Sequence, residues 1–285
     1  MKPRFARFAA IDWSGAKGAR HKGIAITLCE AGQATPRLLT PPDGVWSRTA
    51  VADWLIQTAG DVPTLYGFDF SFAPPFVARG SYLPGEAVPD TAPAFWAYVD
   101  WLCDDVDLGA GSLLEIAHRP HFYFGKADGV KARFMHNRRC EALYNAGGGG
   151  KASTVYDAIG AAQVAKASFA GMRLLHRVRD RVPVWPFDPV PSDGSLVVEI
   201  YTTIAARAAG RAKGRSKMRD LCALNTALSA LGTDPHHGDP PDDHGADAIV
   251  AAAWMRAVAD NERLWTPAAL TPHIAATEGW TFGVI

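Results

Sequence analysis

The sequence predicts an α/β fold: a mixed five-stranded sheet flanked by helices, with a large, mostly helical insertion between strands four and five. Three observations carry this. Four short β-rich runs and one helical run fall within the first 72 residues, a fifth convincing strand comes only at 195–201, and a small-residue helix closes the pattern from Asp243. A chain of 285 residues that is 48% hydrophobic and 20% charged can also bury the sizeable core such a fold needs.

Each element has a local reason. Residues 5–12 are a short apolar run that stops at Asp12-Trp13-Ser14-Gly15. Residues 23–29 (GIAITLC) have the β-branched character of a strand and run into the turn signal Glu30-Ala31-Gly32-Gln33. Residues 36–40 predict a short third strand, whose flanking prolines suit a sheet edge. Residues 49–59 (TAVADWLIQTA) have helical spacing, with Thr49 as N-cap candidate and Gly60 just past the end. Residues 64–70 (TLYGFDF) form the fourth strand, which carries Asp69 near its end.

The fifth strand, 195–201 (SLVVEIY), sets Leu196, Val198 and Ile200 on one face and Val197, Glu199 and Tyr201 on the other. Helices are predicted over 216–230 and from Asp243 to about 259, joined by a Pro/His/Asp-rich loop. The intervening residues 73–194 hold an aromatic helical stretch at 94–102, a glycine run at 147–150 and a helix-like stretch at 155–181. The expected organisation is one core in two parts, 1–72 and 195–285, interrupted by a subdomain at 73–194. No internal repeat is visible.

Lys+Arg and Asp+Glu both number 29, which excludes a polyelectrolyte tail or a uniformly basic coat. The four cysteines are scattered, with no C-x-x-C pair, so neither a disulfide framework nor a cysteine zinc site is indicated. No signal-like N-terminus and no run of about 18 apolar residues occurs, so a soluble, cytoplasmic protein without a membrane partner is expected.

The acids are the chemically informative residues. Asp12, Asp69 and Glu199 lie at or near the carboxyl ends of predicted strands, where ligand sites of open α/β sheets are found. Asp243 and Asp247 are spaced i, i+4, on one face at the start of a helix (AIVAAAWMRAVA) that is apolar nearly all round. Converging carboxylates repel one another unless a cation neutralises them, and Mg²⁺ suits a site of a few carboxylates plus phosphate oxygens. Taken singly, Asp12 reads more readily as a turn former than as a catalytic acid, and Asp243 as a helix cap or first-turn acid.

The segments FAAIDWSGAK, YGFDFSFAPP, VVEIY, DDHGADAIVAAAW and EGWTFGV resemble a bacterial family of predicted RNase-H-like nucleases, and the Asp-x-x-x-Asp-Ala helix is similar to that of RuvC-type resolvases. The resemblance spans most of the chain. It implies an RNase-H-like sheet and Mg²⁺- or Mn²⁺-dependent phosphodiester cleavage. Asp12 matches the first-strand acid, Asp69 the fourth-strand acid, and Asp243 or Asp247 the helix acid. Glu199 matches the acid of the family's fifth-strand motif, which adds it to Asp12, Asp69 and Asp247 as a metal ligand.

Between 119 and 181 the chain carries 12 basic residues against 4 acidic ones, interleaved with aromatics. That composition suits a phosphate backbone and unstacked bases, and equally a solvated surface over a local aromatic core. Lys17, Arg133, Arg138, Arg139 and Lys151 are the candidate nucleic-acid-binding residues. The glycine run before Lys151 is not a P-loop, because Asn145 and Ala152 stand where that motif needs Gly and Ser/Thr. His244 is a candidate for supporting a catalytic water or a metal ion; His236-His237 reads as solvated loop. Two other readings stay open: a non-enzymatic nucleic-acid-binding or scaffold protein, and an ATP-binding phosphotransferase of the actin/sugar-kinase type with Asp12–Lys17 cradling phosphates.

Overall fold

A computed structural model describes residues 4–150, 152–160, 163–212, 217–218 and 220–285. β1 (Arg7–Asp12), β2 (Ala25–Glu30) and β3 (Arg37–Leu38) form an antiparallel meander. On the other side of β1, β4 (Thr64–Asp69) and β5 (Leu196–Glu199) pair in parallel, giving the order β3-β2-β1-β4-β5. The parallel β1–β4 pair needs a crossover, and α1 (Arg48–Thr58) lies in it. Its cap is Ser47, not Thr49: Ser47 has the extended backbone of a cap and accepts from the Ala50 N–H, whereas Thr49 is already helical.

Between β4 and β5 run α2 (Ala92–Leu102), α3 (Arg139–Ala146) and α4 (Val164–Val178), with a π-helical turn at Ser112–Ala117 and short 3₁₀ turns. After β5 come α5 (Thr202–Ala208), α6 (Leu221–Ala230), α7 (Asp243–Val258) and α8 (Pro272–Thr277). The helix expected over 216–230 begins at Leu221, where the Asp220 carboxylate accepts from the Ala223 N–H; Ser216 and Arg219 lie outside the described residues. The stretch 155–181 is helical only over Val164–Val178. α5 has no counterpart among the predicted elements, since seven residues are too few to establish a helical period. No helix of the described residues is long and apolar enough to cross a membrane.

Both faces of the sheet are covered, and the strands divide their side chains between two cores. Ala9, Ile11, Tyr66, Phe68 and Val197 join one core with residues of α1, α2 and α4. Phe8, Ala10, Leu65, Leu196 and Val198 join the other with α5, α6 and α7. The 73–194 segment therefore shares a core with the sheet: Trp96 and Phe169 belong to the same cluster as Ile11 and Phe68. α7 packs on β1 and β2, where Thr27 Oγ1 donates to the Ala248 carbonyl at 2.8 Å in the buried interface. Its alanines permit that approach, and Gly67 permits more: a Cβ there would lie 2.6 Å from Met255 Sδ and 2.8 Å from Ile200 Cγ2.

The loop after β1 is fixed just as closely. Trp13 Nε1 donates to the Ala167 carbonyl at 3.1 Å, and a Cβ on Gly15 would meet the Ala167 backbone nitrogen at 2.4 Å. Backbone cannot swing aside as a flexible side chain can. Gly15→Ala is therefore expected to destabilise the protein by about 1–3 kcal/mol, the usual cost of overpacking. A thermal melt checks this; an unchanged midpoint contradicts the tight packing of this loop on α4.

Candidate functional site

The parallel register sets Asp12 of β1 directly opposite Asp69 of β4. Neighbouring strands lie about 4.8 Å apart and paired residues project from the same face, so the two carboxyls stand side by side. Ala10 and Leu65, which share that face, pack in the core of α7. The same side receives Asp247 from the second turn of α7, and all three acids line one cleft of about 610 Å³. The α7 cap is Asp242, whose carboxylate accepts from the Gly245 N–H at 2.7 Å. Asp243 follows it, solvent-exposed on the rim of the cleft, so Asp247 is the inward acid of the pair.

Crowding is visible in the electrostatics. Burial and the neighbouring Asp12 charge, with a smaller push from Asp247, drive the Asp69 carboxyl up to about 7 against a hydrogen bond from Thr202. Burial likewise raises Asp247, with Lys217 opposing and Asp12 and Asp243 adding to the rise. Neighbouring side chains answer this load. Lys217 Nζ donates to Asp247 Oδ2 at 2.5 Å, and His244 Nδ1 lies 2.9 Å from Asp12 Oδ2. Thr202 Oγ1 donates to Asp69 Oδ2 at 2.8 Å. The hydrogen bond with Asp12 holds His244 above the ordinary histidine range, with burial opposing it.

The donor set fits a hard divalent cation: three carboxylates from separate elements, each carrying one of its oxygens in a described hydrogen bond. Asp12, Asp69 and Asp247 are the residues that would hold it. They do not close into a single tight trio. Among the described residues, the one set of three or more His, Cys, Asp and Glu with ligand atoms all within 4.8 Å of each other is Glu86, His118 and His121.

Glu199 does different work from the metal ligation expected of it. Arg138 binds it bidentately, Nη2 to Oε1 at 2.5 Å and Nη1 to Oε2 at 2.7 Å, while the Phe72 N–H donates to Oε2 and Thr281 Oγ1 donates to Oε1. Arg138 Nε also donates to Glu141 Oε1 at 2.9 Å. A carboxylate so fully engaged has no oxygen to offer a cation, so Glu199 is corrected from metal ligand to structural anchor. Breaking such a buried pair costs about 3–5 kcal/mol.

For the same reason Arg138, 1% exposed, cannot meet a nucleic-acid phosphate. Arg133 and Arg139 are exposed, and Lys17 is exposed but bonded to Glu115 at 2.8 Å; Lys151 lies outside the described residues. Several basic residues of 119–181 are engaged in ion pairs: Arg119 with Asp128, Lys131 with Asp157, Arg173 and Arg177 with Asp100, and Arg179 with Asp188. Phe122, Tyr123 and Tyr156 are buried, so these rings serve a local core and are closed to base stacking.

Sequence reasoning missed Lys217 and Thr202. The run of five basic residues between 211 and 219 was the available signal for Lys217; nothing local marks Thr202. The His236 N–H donates to Asn225 Oδ1 of α6, and its Nε2 lies 3.3 Å from the Asp239 carbonyl oxygen. No family model, curated protein or solved structure matches the chain.

Because the folded-state Asp69 carboxyl sits above its ordinary value of 3.8, ionising it costs folding free energy that is absent below pH 3.8 and complete above about pH 7. Asp69→Asn keeps an acceptor for Thr202 and removes that cost. It is expected to raise the melting temperature at pH 8, by on the order of 1 kcal/mol or more of stability, with the gain fading towards pH 4. Melts across pH check this; destabilisation at pH 8 contradicts it.

Proposed function

We propose that this protein is a divalent-metal-dependent phosphodiesterase acting on nucleic acid, with an RNase-H-like sheet and residues 73–194 inserted into it. The observation that carries this reading is the in-register pair Asp12–Asp69 at the ends of parallel strands, facing Asp247 across one cleft. The sheet order β3-β2-β1-β4-β5 and the acidic end of α7 support the resemblance seen in the sequence.

Asp12, Asp69 and Asp247 would hold Mg²⁺ or Mn²⁺. When bound, such an ion polarises a phosphoryl oxygen and lowers the pKa of a coordinated water. The chain's own part is positioning. Thr202 orients Asp69 from the start of α5, and the β1–β4 register keeps Asp12 beside it. Lys217 places its positive charge on the cleft wall and His244 its ring nitrogens, where the oxygens of an entering phosphodiester would meet them. Glu199 and Arg138 bolt the cleft's inner wall together from β5 and the start of α3.

Asp12→Asn is expected to lower Mg²⁺- or Mn²⁺-dependent cleavage by on the order of 10³-fold or more, equivalent to several kcal/mol of transition-state stabilisation, with the fold intact. A panel of single-stranded, duplex and junction substrates, DNA and RNA, with each metal, measures it. Equal turnover in the variant overturns the assignment. Binding without turnover in both proteins favours a scaffold instead.

A further inference from the structure

Away from the acid cleft, two histidines and a glutamate meet around one carboxylate oxygen. His121 Nε2 lies 3.3 Å and His118 Nδ1 3.7 Å from Glu86 Oε1, and the ligand atoms of all three residues fall within 4.8 Å of each other. None of the three lines the cleft of Asp12, Asp69 and Asp247.

The local chain explains the meeting. His118 ends the π-helical turn Ser112–Ala117, and the 3₁₀ turn Arg119–His121 brings His121 back beside it, with ring centroids 6.2 Å apart. Glu86 comes from the loop before α2, where its N–H donates to the Leu83 carbonyl at 3.0 Å. One 3₁₀ turn with its cap and one loop thus converge.

The second observation is an orphan. His118 is 6% exposed, yet its Nδ1 has no hydrogen-bond partner; at 3.7 Å Glu86 is too far to serve. A buried ring nitrogen left without a partner is costly. Its other nitrogen is held: Nε2 lies 2.7 Å from the Tyr98 hydroxyl. With the proton on Nε2, donated to the Tyr98 oxygen, Nδ1 presents a bare lone pair towards Glu86 and His121. That is how outer partners orient metal-binding histidines, by fixing the tautomer at the opposite nitrogen.

We infer that Glu86, His118 and His121 form a binding site for a Zn²⁺-class transition-metal ion, oriented by Tyr98. Two imidazoles and one carboxylate are the donor set such ions take, whereas Mg²⁺ prefers oxygen alone. Three protein ligands leave a fourth position of a tetrahedral ion open. Glu86 is exposed and His121 partly so, so that position faces solvent and admits water or a small anion.

The test is calorimetric titration of the full-length protein with Zn²⁺ alone, paired with Co²⁺ titration followed by visible absorption. Wild type is expected to bind one ion at this site. His121→Ala and Glu86→Gln, both outside the buried core, should weaken that binding by about 100-fold or more, and Tyr98→Phe by about 10-fold. His118→Gln alters a buried side chain, so circular dichroism accompanies every variant and the inference stands or falls on His121→Ala and Glu86→Gln. An Asp12→Asn/Asp247→Asn double variant should keep the Zn²⁺ affinity and the Co²⁺ spectrum. The inference is overturned if wild type takes up no Zn²⁺, if His121→Ala and Glu86→Gln bind as wild type does, or if binding is lost only in the Asp12/Asp247 variant.

Discussion

Two like charges held side by side by backbone pairing are the constraint on which the candidate site depends. Once β1 and β4 pair in parallel with Asp12 opposite Asp69, the two side chains leave neighbouring positions on one face of the sheet. Everything around them reads as a response. Thr202 donates to Asp69, His244 approaches Asp12, and Lys217 caps Asp247 as it enters the same space from α7. Folding supplies the convergence through strand hydrogen bonds, which are indifferent to the charge they bring together. The repulsion is therefore a standing cost of the architecture.

A second constraint keeps the cleft walls in place. Residues 73–194 would be a loose excursion from the sheet if nothing tied them back, but α2 and α4 share the core of β1 and β4. Arg138 then reaches from the start of α3 to Glu199 at the end of β5, and Glu278 near the C-terminus accepts from the Phe76, Val77 and Arg139 N–H groups. A bidentate guanidinium–carboxylate pair fixes direction as well as distance. It sets the inner wall of the cleft.

The legible and illegible parts of the sequence divide along physical lines. All five strands were visible, because β-branched runs bounded by glycine and proline carry their own signal, although edge-strand β3 shrank to Arg37–Leu38. Asp12, Asp69 and Asp247 stood out because acids are rare where strands end and where a buried helix begins. Glu199 looked equivalent, since an acid interrupting a strand looks the same whether it faces a cation or an arginine 61 residues away. The basic excess misled for a related reason: counting charges between 119 and 181 leaves out Asp100, Asp188 and Glu199, which lie outside that window and engage Arg173, Arg179 and Arg138. The His118–His121–Glu86 cluster gave no sequence signal, because two of its ligands sit on turns whose shape only the packed structure defines.

The central claim is that the Asp12–Asp69 pair is built to share a hard cation. The most direct measurement is anomalous scattering from crystals of the protein grown or soaked with Mn²⁺. The account predicts an anomalous peak bonded to carboxylate oxygens of both Asp12 and Asp69, with Lys217 or His244 displaced from its acid. Crystals that take up Mn²⁺ only elsewhere, or that leave these two carboxyls bare beside an unmoved Lys217 and His244, would contradict it.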